Sequence, residues 1–439
     1  MHARTDTIVV GGGQAGLVMS YLLAQQGRDH AVLEPVGPAH AWQTRWDSFT
    51  LNGRSGRALN LPGLPYAGSD PEAYADRDEI VAYFAAYVAR IRPPLCLGVR
   101  ATSVRPHGDG GFVVETDAGT LRADNVVIAT GRHQTPALPP LTGAIPVDVV
   151  QLHTHDYRNP DQLPPGNVLI VGSGQSSCQI VEEIHASGRR VHLSVGGNVR
   201  APIRYRGREM TDWVAALDDK WSDLVFGAQF TGRDGGRSLN LHQFARDGMV
   251  LLGRLAGVDG RTLRFAPDLH ERLCAADAHD AHTRRVVDEH IAANGLDCPE
   301  EPPPPLLRDG FAQPIRTDLD LGAAGITSVI WGTGYRFDLS WVQFPILEAD
   351  GEPRHELGVT KVPGLYVLGF TLRRKPRSSL LPYVGVEAEN IAAAIAGQDR
   401  ENGPAYLNRA CHTHRTATTS VAIAPTRAAV PKKNGPMAG

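Results

Sequence analysis

An α/β chain of two three-layer, parallel-sheet units, the second inserted into the first, is the fold class this sequence predicts, and three observations predict it. Two passages, "TIVVGGGQAGLVMSYLLAQQGRDHAVLE" (Thr7 to Glu34) and "NVLIVGSGQSSCQIVEEIHASGRRVHLSVG" (Asn167 to Gly196), share one order of strand, glycine turn, helix and strand. Two others, "NVVIATGRHQTPALPP" (Asn125 to Pro140) and "GITSVIWGTGYRFD" (Gly325 to Asp338), are strands that run out into glycine-containing linkers. Finally "VPGLYVLGF" (Val362 to Phe370) reads as a buried strand, followed by the alanine-rich helix "EAENIAAAIAG" that stops at Gly397.

In the first passage a short β-branched run, Thr7 to Val10, leads into Gly11-Gly12-Gly13-Gln14-Ala15-Gly16. Apolar residues then keep a helical spacing until Gly27, and a second strand, His30 to Leu33, ends at Glu34. Gly11 permits the tight turn, Gly13 lets backbone approach a pyrophosphate, and Gly16 lets the helix sit close on the strand. Amides at Gln14 and Ala15 open the helix, where the dipole favours phosphate. Glu34, 23 residues after Gly11, is placed to accept hydrogen bonds from ribose hydroxyls. That implies an unphosphorylated ribose, as in FAD or NAD. A tight βα turn without ligand is the plainer alternative, but here strand, helix and terminal acid all fall in register.

The second passage has Gly172 and Gly174, with Gln175 and Ser176 following and Ser177 where the third glycine would stand. The same count of 23 from Gly172 reaches Val195, with Ser194 before it and no carboxylate. Arg189, Arg190, Arg200, Arg204 and Arg206 surround this strand end. Loss of the acid removes repulsion, and a guanidinium can hold a 2′-phosphate. NADPH is therefore expected at the second, Rossmann-like unit, with Arg200 and Arg204 as its phosphate readers; each arginine taken singly is equally explained as a solvated face. Two nucleotides in one chain imply hydride transfer from NADPH to a bound flavin. Gln175 and Ser176 are placed at that junction, and Gln175 is a catalytic candidate.

The expected organisation is an FAD-binding unit in two parts, residues 1–160 and 331–400, with an NADPH-binding unit at 161–330 between them. A helical insertion at about 200–305 is expected within the latter, with helical stretches at Leu241 to Leu252 and Arg284 to Asn294 before the proline run Pro302 to Pro305. The stretch from 401 to 439 is expected to be a flexible tail. A formal net charge of −3 argues against nucleic acid or an anionic membrane as partner. Five dispersed cysteines exclude a readable disulfide framework, zinc knuckle or CxxC redox pair. His153 and His155 lack a third ligand at a recognisable spacing, so no metal is expected. No apolar run approaches the roughly 20 residues of a membrane helix, which makes a cytoplasmic protein the expectation.

These motifs together resemble the class B flavoprotein monooxygenases, the flavin-containing-monooxygenase-like family, over about residues 5 to 397. The likeness rests on the FAD fingerprint (Gly11, Gly13, Gly16), the ATG motif (Ala129 to Gly131), the NADPH fingerprint (Gly172, Gly174) and the TGY stretch (Thr333 to Tyr335). It implies that "WQTRWDSFTL" (Trp42 to Leu51) runs beside the flavin, making Trp42, Arg45, Trp46 and Asp47 cofactor candidates. Thr130, Gly131, Thr333 and Gly334 join them from the two linkers. "RRKPRSS" implies Arg377, Ser378 and Ser379 near the isoalloxazine, with Arg373, Arg374 and Lys375 at the surface or on NADPH. "QLHTHDYRNP" resembles the family's FxGxxxHxxxY signature, His153 taking the His place as a catalytic or structural residue and Tyr157 the aromatic place. Val147 and Val149 depart from its Phe and Gly.

The stretches "IRYRGREMTDW", "TGRDGGRSLNLHQFARDGMVLLGRL" and "HIAANGLD" narrow the resemblance to a bacterial subgroup of FAD/NAD(P)-binding oxidoreductases, in which glycine stands at the Ser177 place. The implied reaction is NADPH reduction of FAD, uptake of O2, and delivery of one oxygen atom from a C4a-(hydro)peroxyflavin to a small substrate. Tyr157 in place of tryptophan points to N-, S- or C-hydroxylation rather than ring-expanding insertion. An NADPH-dependent flavoreductase or oxidase, and a non-catalytic nucleotide sensor, are the alternatives. Predicted partners are a small-molecule substrate and O2, with homodimer formation left open.

Overall fold

The computed structural model describes residues 4–217, 224, 227–348, 351–370 and 377–397. Arg373, Arg374, Lys375 and the stretch expected to be a tail lie outside the described residues. Two sheets organise the chain. The first uses β1 (Arg4–Val10), β2 (His30–Glu34), β3 (Leu95–Leu97), β4 (Ala101–Pro106), β5 (Phe112–Thr116) and β6 (Gly119–Ile128) in the order β3-β2-β1-β6-β5-β4. β3, β2, β1 and β6 are parallel, and β6, β5 and β4 form an antiparallel meander. The ten-residue β6 divides its edge: its first half pairs β5, and Val126 to Ile128 pair the late strand Leu365–Val367.

Ile8, Val9 and Val10 are almost fully buried, as expected of a parallel strand covered on both faces. On one face α1 (Gln14–Gln25), α2 (Arg77–Ile91) and the last described helix, Val384–Ile395, share a core that includes Leu17, Leu23, Phe84, Tyr87 and Ile391. On the other, Ile8, Val10 and Ile128 meet Leu339, Val342 and Phe370. α2 starts with the capping box of Asp76 and Glu79, which satisfies two amides reciprocally.

The second sheet is wholly parallel: β7 (Val150–His153), β8 (Asn167–Val171), β9 (Val191–Ser194), β10 (Val250–Leu252) and β11 (Ile326–Trp331) in the order β10-β9-β8-β11-β7. α3 (Gln175–Ala186) covers one face together with part of α4 (Leu269–Asn294), and a three-stranded antiparallel sheet covers the other. The late strand β12 (Leu365–Val367) and helix α5 (Val384–Ile395) return to the first sheet, α5 packing along α1.

Two sequence readings need correction. The stretch Leu241 to Leu252 is not one helix: the helix stops at Arg246, Gly248 takes a left-handed φ of +95°, and Val250–Leu252 becomes a strand beside β9. Asp247-Gly248 breaks the helix, because glycine adopts that conformation without steric cost. The helix read as starting at Arg284 begins fifteen residues earlier, at Leu269. Its first half is held by burial of Leu269, Leu273 and Ala276, spaced i, i+4, i+7 as on one face of a helix.

Candidate functional site: two glycine turns and the ribbon between them

At the first turn, Gly13 caps α1 in extended backbone with no side-chain cap and no acid in the first turn, so the opening amides are offered outward. A Cβ on Gly11 would fall 2.6 Å from the Ala129 carbonyl oxygen, and one on Gly16 would fall 1.8 Å from that of Gly11. A Cβ on Gly13 would meet nothing within 4 Å, which leaves room for a bulky anion against the backbone. The turn therefore fits a pyrophosphate on steric grounds. Glu34 is buried; its Oε2 accepts from the Gly12 amide at 2.8 Å, and its Oε1 accepts from Val36 at 2.9 Å and Gly37 at 3.2 Å. The acid at the strand end thus shapes the turn as well as facing it.

Gln14 reaches across the chain, its Nε2 donating to the Ser379 carbonyl at 3.0 Å. That bond brings the 377–379 stretch to the first turn. Arg377 and Ser378 are buried there, and Arg377 sits at φ +56°, in the left-handed region that non-glycine residues seldom adopt. Ala15 is buried in the α1 core.

The second turn repeats the plan. Gly174 caps α3 in extended backbone, again with no side-chain cap and no acid in the first turn. A Cβ on Gly172 would lie 2.4 Å from the Gly332 carbonyl oxygen, while one on Gly174 would meet nothing. Beside it opens a cavity of about 370 Å³ whose lining includes Arg254, Thr333 and Gly334. Gln175 does not face that space freely: its Oε1 accepts from the Phe230 amide at 2.8 Å and its Nε2 donates to the Phe230 carbonyl. Ser176 is half-buried in the first turn of α3. Ser177 is buried and packs on Gly332, where a Cβ would meet the Ser177 hydroxyl at 1.8 Å.

The arginines after the second strand have other partners. Arg200 pairs with Asp277 at 2.7 Å and Asp280 at 3.6 Å; Arg204 pairs with Glu209 at 2.6 Å and donates to the Tyr74 hydroxyl at 2.8 Å. Arg206 pairs with Asp288 at 2.9 Å. Arg189 donates to the carbonyls of Leu163 and Pro164.

Between the sheets the two linkers run side by side. Thr135–Pro136 and Tyr335–Arg336 pair as an antiparallel ribbon. The Thr333 hydroxyl donates to the Ala137 carbonyl at 2.7 Å, and the Ala137 amide to the Gly334 carbonyl at 2.9 Å. Gln134, which sequence reasoning missed, stitches both linkers: its Nε2 donates to Thr130 Oγ1 at 2.9 Å and the Gly131 carbonyl at 2.8 Å, and its Oε1 accepts from the Asp338 amide at 2.8 Å.

His153 is buried under the ribbon, its ring edge-on to Tyr335 at 5.1 Å, and its Nδ1 accepts from the His155 amide at 3.1 Å. Burial pushes its pKa below the ordinary value, and the Gly334 backbone draws it part of the way back. Tyr157 is fully buried in the core of the second sheet, and burial raises its pKa.

The Trp42 to Asp47 stretch divides. Trp42 stacks on Phe84 at 6.2 Å, and the Arg45 guanidinium lies 5.8 Å from the rings of both Trp42 and Phe49. Burial lowers the Arg45 pKa against an opposing contribution from Tyr335. Trp46 is buried with Tyr157 and Ile170, in the second sheet's core. Asp47 is exposed; it binds Asn159 at 2.7 Å and pairs with Arg77, contacts that hold its pKa below the usual carboxylate range. Among the described residues the cysteines are unpaired, no three His, Cys, Asp or Glu side chains gather as a metal site, and no helix is long and apolar enough to cross a membrane.

Known proteins share this arrangement. Residues 8–215 match the family described as pyridine nucleotide-disulphide oxidoreductase. An oxidoreductase of Geobacillus kaustophilus, CzcO-like by name, is 30% identical over 392 residues, covering 89% of this chain and 97% of its own. The indole-3-pyruvate monooxygenase YUCCA1 of rice, Oryza sativa subsp. japonica, is 29% identical over 417 residues, with 91% and 94% covered. The structure of a flavin-containing monooxygenase from Stenotrophomonas maltophilia superposes with a TM-score of 0.61 at 21% identity, over 90% of this chain and 99% of that one.

Proposed function

The chain belongs to the CzcO-like oxidoreductases, and from that premise we propose that it is an FAD-dependent, NADPH-consuming monooxygenase of a small organic substrate. One atom of O2 goes to a nitrogen, sulfur or carbon of the substrate, the other leaves as water, and NADPH supplies the two electrons. FAD is held by residues 1–160 and 331–400, NADPH by residues 161–330. The observation that carries this reading is the pair of like-built glycine turns, one closed by Glu34 and the other opening on a cavity free of any acid at its strand end.

Bound FAD supplies hydride acceptance and O2 activation; the chain does the rest. Gly11, Gly13, Gly16 and Glu34, with the opening amides at Gln14 and Ala15, hold one nucleotide, and Gly172, Gly174 and Ser176 the other. Gln14 draws Ser379, with Arg377 and Ser378, to the first turn, and Trp42 and Arg45, packed on each other, are assigned to the flavin too. Gln175, tied to Phe230, is a positioning residue for the second turn. His153 positions Tyr335 from below, and Thr130, Gly131, Thr333 and Gly334 keep the two sites in register through the ribbon.

Stopped-flow spectroscopy of the FAD-loaded protein tests this. NADPH should bleach the flavin, and mixing with air should give a transient band before the oxidised spectrum returns. Offered amines and sulfides should gain the mass of one oxygen atom as NADPH is consumed. Peroxide released one-for-one with NADPH and no transient would instead mark a flavoreductase or oxidase, and a flavin that NADPH does not bleach would mark a nucleotide sensor.

A further inference from the structure

We infer that Arg254, supplied by the strand next to the expected one, is the residue that reads the 2′-phosphate of the nicotinamide nucleotide. The inference rests on the assignment of NADPH to the second turn. Arg254 follows β10, whose parallel neighbour β9 ends at Ser194 close to the place where an NAD-selective site carries its acid. Ser194 brackets it: the hydroxyl donates to the Gly253 carbonyl at 3.0 Å and accepts from the Leu255 amide at 3.0 Å. The residue standing near the acid's place therefore fixes the backbone on both sides of an arginine.

The turn is held from below too. Asp268 Oδ1 accepts from the Arg254 amide at 2.9 Å, the Ala266 amide donates to the Arg254 carbonyl at 2.9 Å, and a Cβ on Gly253 would lie 1.9 Å from the Ala266 carbonyl oxygen. Arg254 is exposed and lines the cavity beside Gly174, together with Gly196 and Gly197, where added Cβ atoms would meet nothing. Among the described residues no carboxylate pairs with its guanidinium.

The other arginines fit the role less well. Arg200, Arg204 and Arg206 spend their charge on Asp277, Glu209 and Asp288, and diverting them would unpair carboxylates within the fold. Arg190 precedes β9 and so lies at the strand's opposite end from the turn.

The test is calorimetric titration of the FAD-loaded full chain with NADP+ and, separately, NAD+. Wild type should prefer NADP+. A charge-assisted contact to phosphate predicts that Arg254→Ala raises the NADP+ Kd by about 10- to 100-fold. The NAD+ Kd should move less than about threefold, and Arg254→Lys should fall between, since lysine binds phosphate as a point charge. The NADP+ preference of wild type should shrink as salt rises, and Arg190→Ala should change nothing. Equal weakening of both nucleotides would overturn the inference, by placing Arg254 on the adenine or pyrophosphate. An NADP+ preference as large in Arg254→Ala as in wild type would overturn it while leaving NADPH in place. A wild type that binds NAD+ as tightly as NADP+ would instead remove the NADPH assignment itself.

Discussion

Glu34 shows how one side chain serves two ends. Its two oxygens take three backbone amides, and a glutamine there would turn an N–H toward one of them. Each hydrogen bond to a charged acceptor contributes about 1.5–3 kcal/mol. Glu34→Gln should therefore lower unfolding free energy by roughly 2 kcal/mol and reduce flavin content, both measurable by urea denaturation and by the absorbance ratio of the purified protein. His192, buried in β9, makes a pH prediction. Burial, with Arg190 and Arg316 nearby, pushes its pKa down to about 4. Between that value and the unfolded value of about 6.5 the unfolded chain binds a proton that the native chain refuses. Stability is therefore lost as pH falls through this window, by up to about 1.4 kcal/mol per unit. His192→Val should flatten that slope in denaturation at pH 7, 6 and 5. At this scale the sequence was most legible where one backbone constraint demands one residue, as at Gly11 and Gly16. It was least legible at Arg254, held from a neighbouring strand, and at Gln134, which joins its own linker to Asp338 far along the chain.

Among elements, the two turns differ by an exchange of bulk. In the first, Gly16 lies beneath the turn and Ala129 ends the exit strand; in the second, Ser177 takes the helix position and Gly332 the strand end. The hydroxymethyl that departs from the family pattern is accommodated because its neighbour has no side chain. Gly332→Ala should cost about 1–3 kcal/mol in thermal or urea unfolding, as overpacked sites do. Adding Ser177→Gly should recover most of that loss, and the two changes should be strongly non-additive. Independent, additive losses would show that the pair is not coupled. Turn, helix and strand were readable here because glycine spacing and apolar period agree. The strand Val250–Leu252 was not, since its apolar residues prolong the helical pattern begun at Leu241. Asp247-Gly248 was the available signal.

Across the whole molecule, the two linkers form one ribbon, and Gln134 bonds both of them. Gln134→Ala should leave NADP+ affinity within about twofold yet slow flavin reduction by NADPH roughly tenfold, because small misplacements of reacting groups are costly. Single-turnover kinetics beside calorimetry would separate the two effects, and unchanged reduction would exclude a role for the ribbon in alignment. The inserted topology was readable from its paired glycine exits, whereas the pairing of the linkers with each other was not, because two-residue strands carry no period. The same topology sets a timetable. Once Trp331 has left the ribosome, the second sheet has all five of its strands. The first sheet, begun at Arg4, still lacks Leu365–Val367 along β6 and the helix that covers α1. Of the two sheets, the one begun first is thus the last to be finished, and the free edge of β6 must wait through more than two hundred residues of synthesis after Ile128.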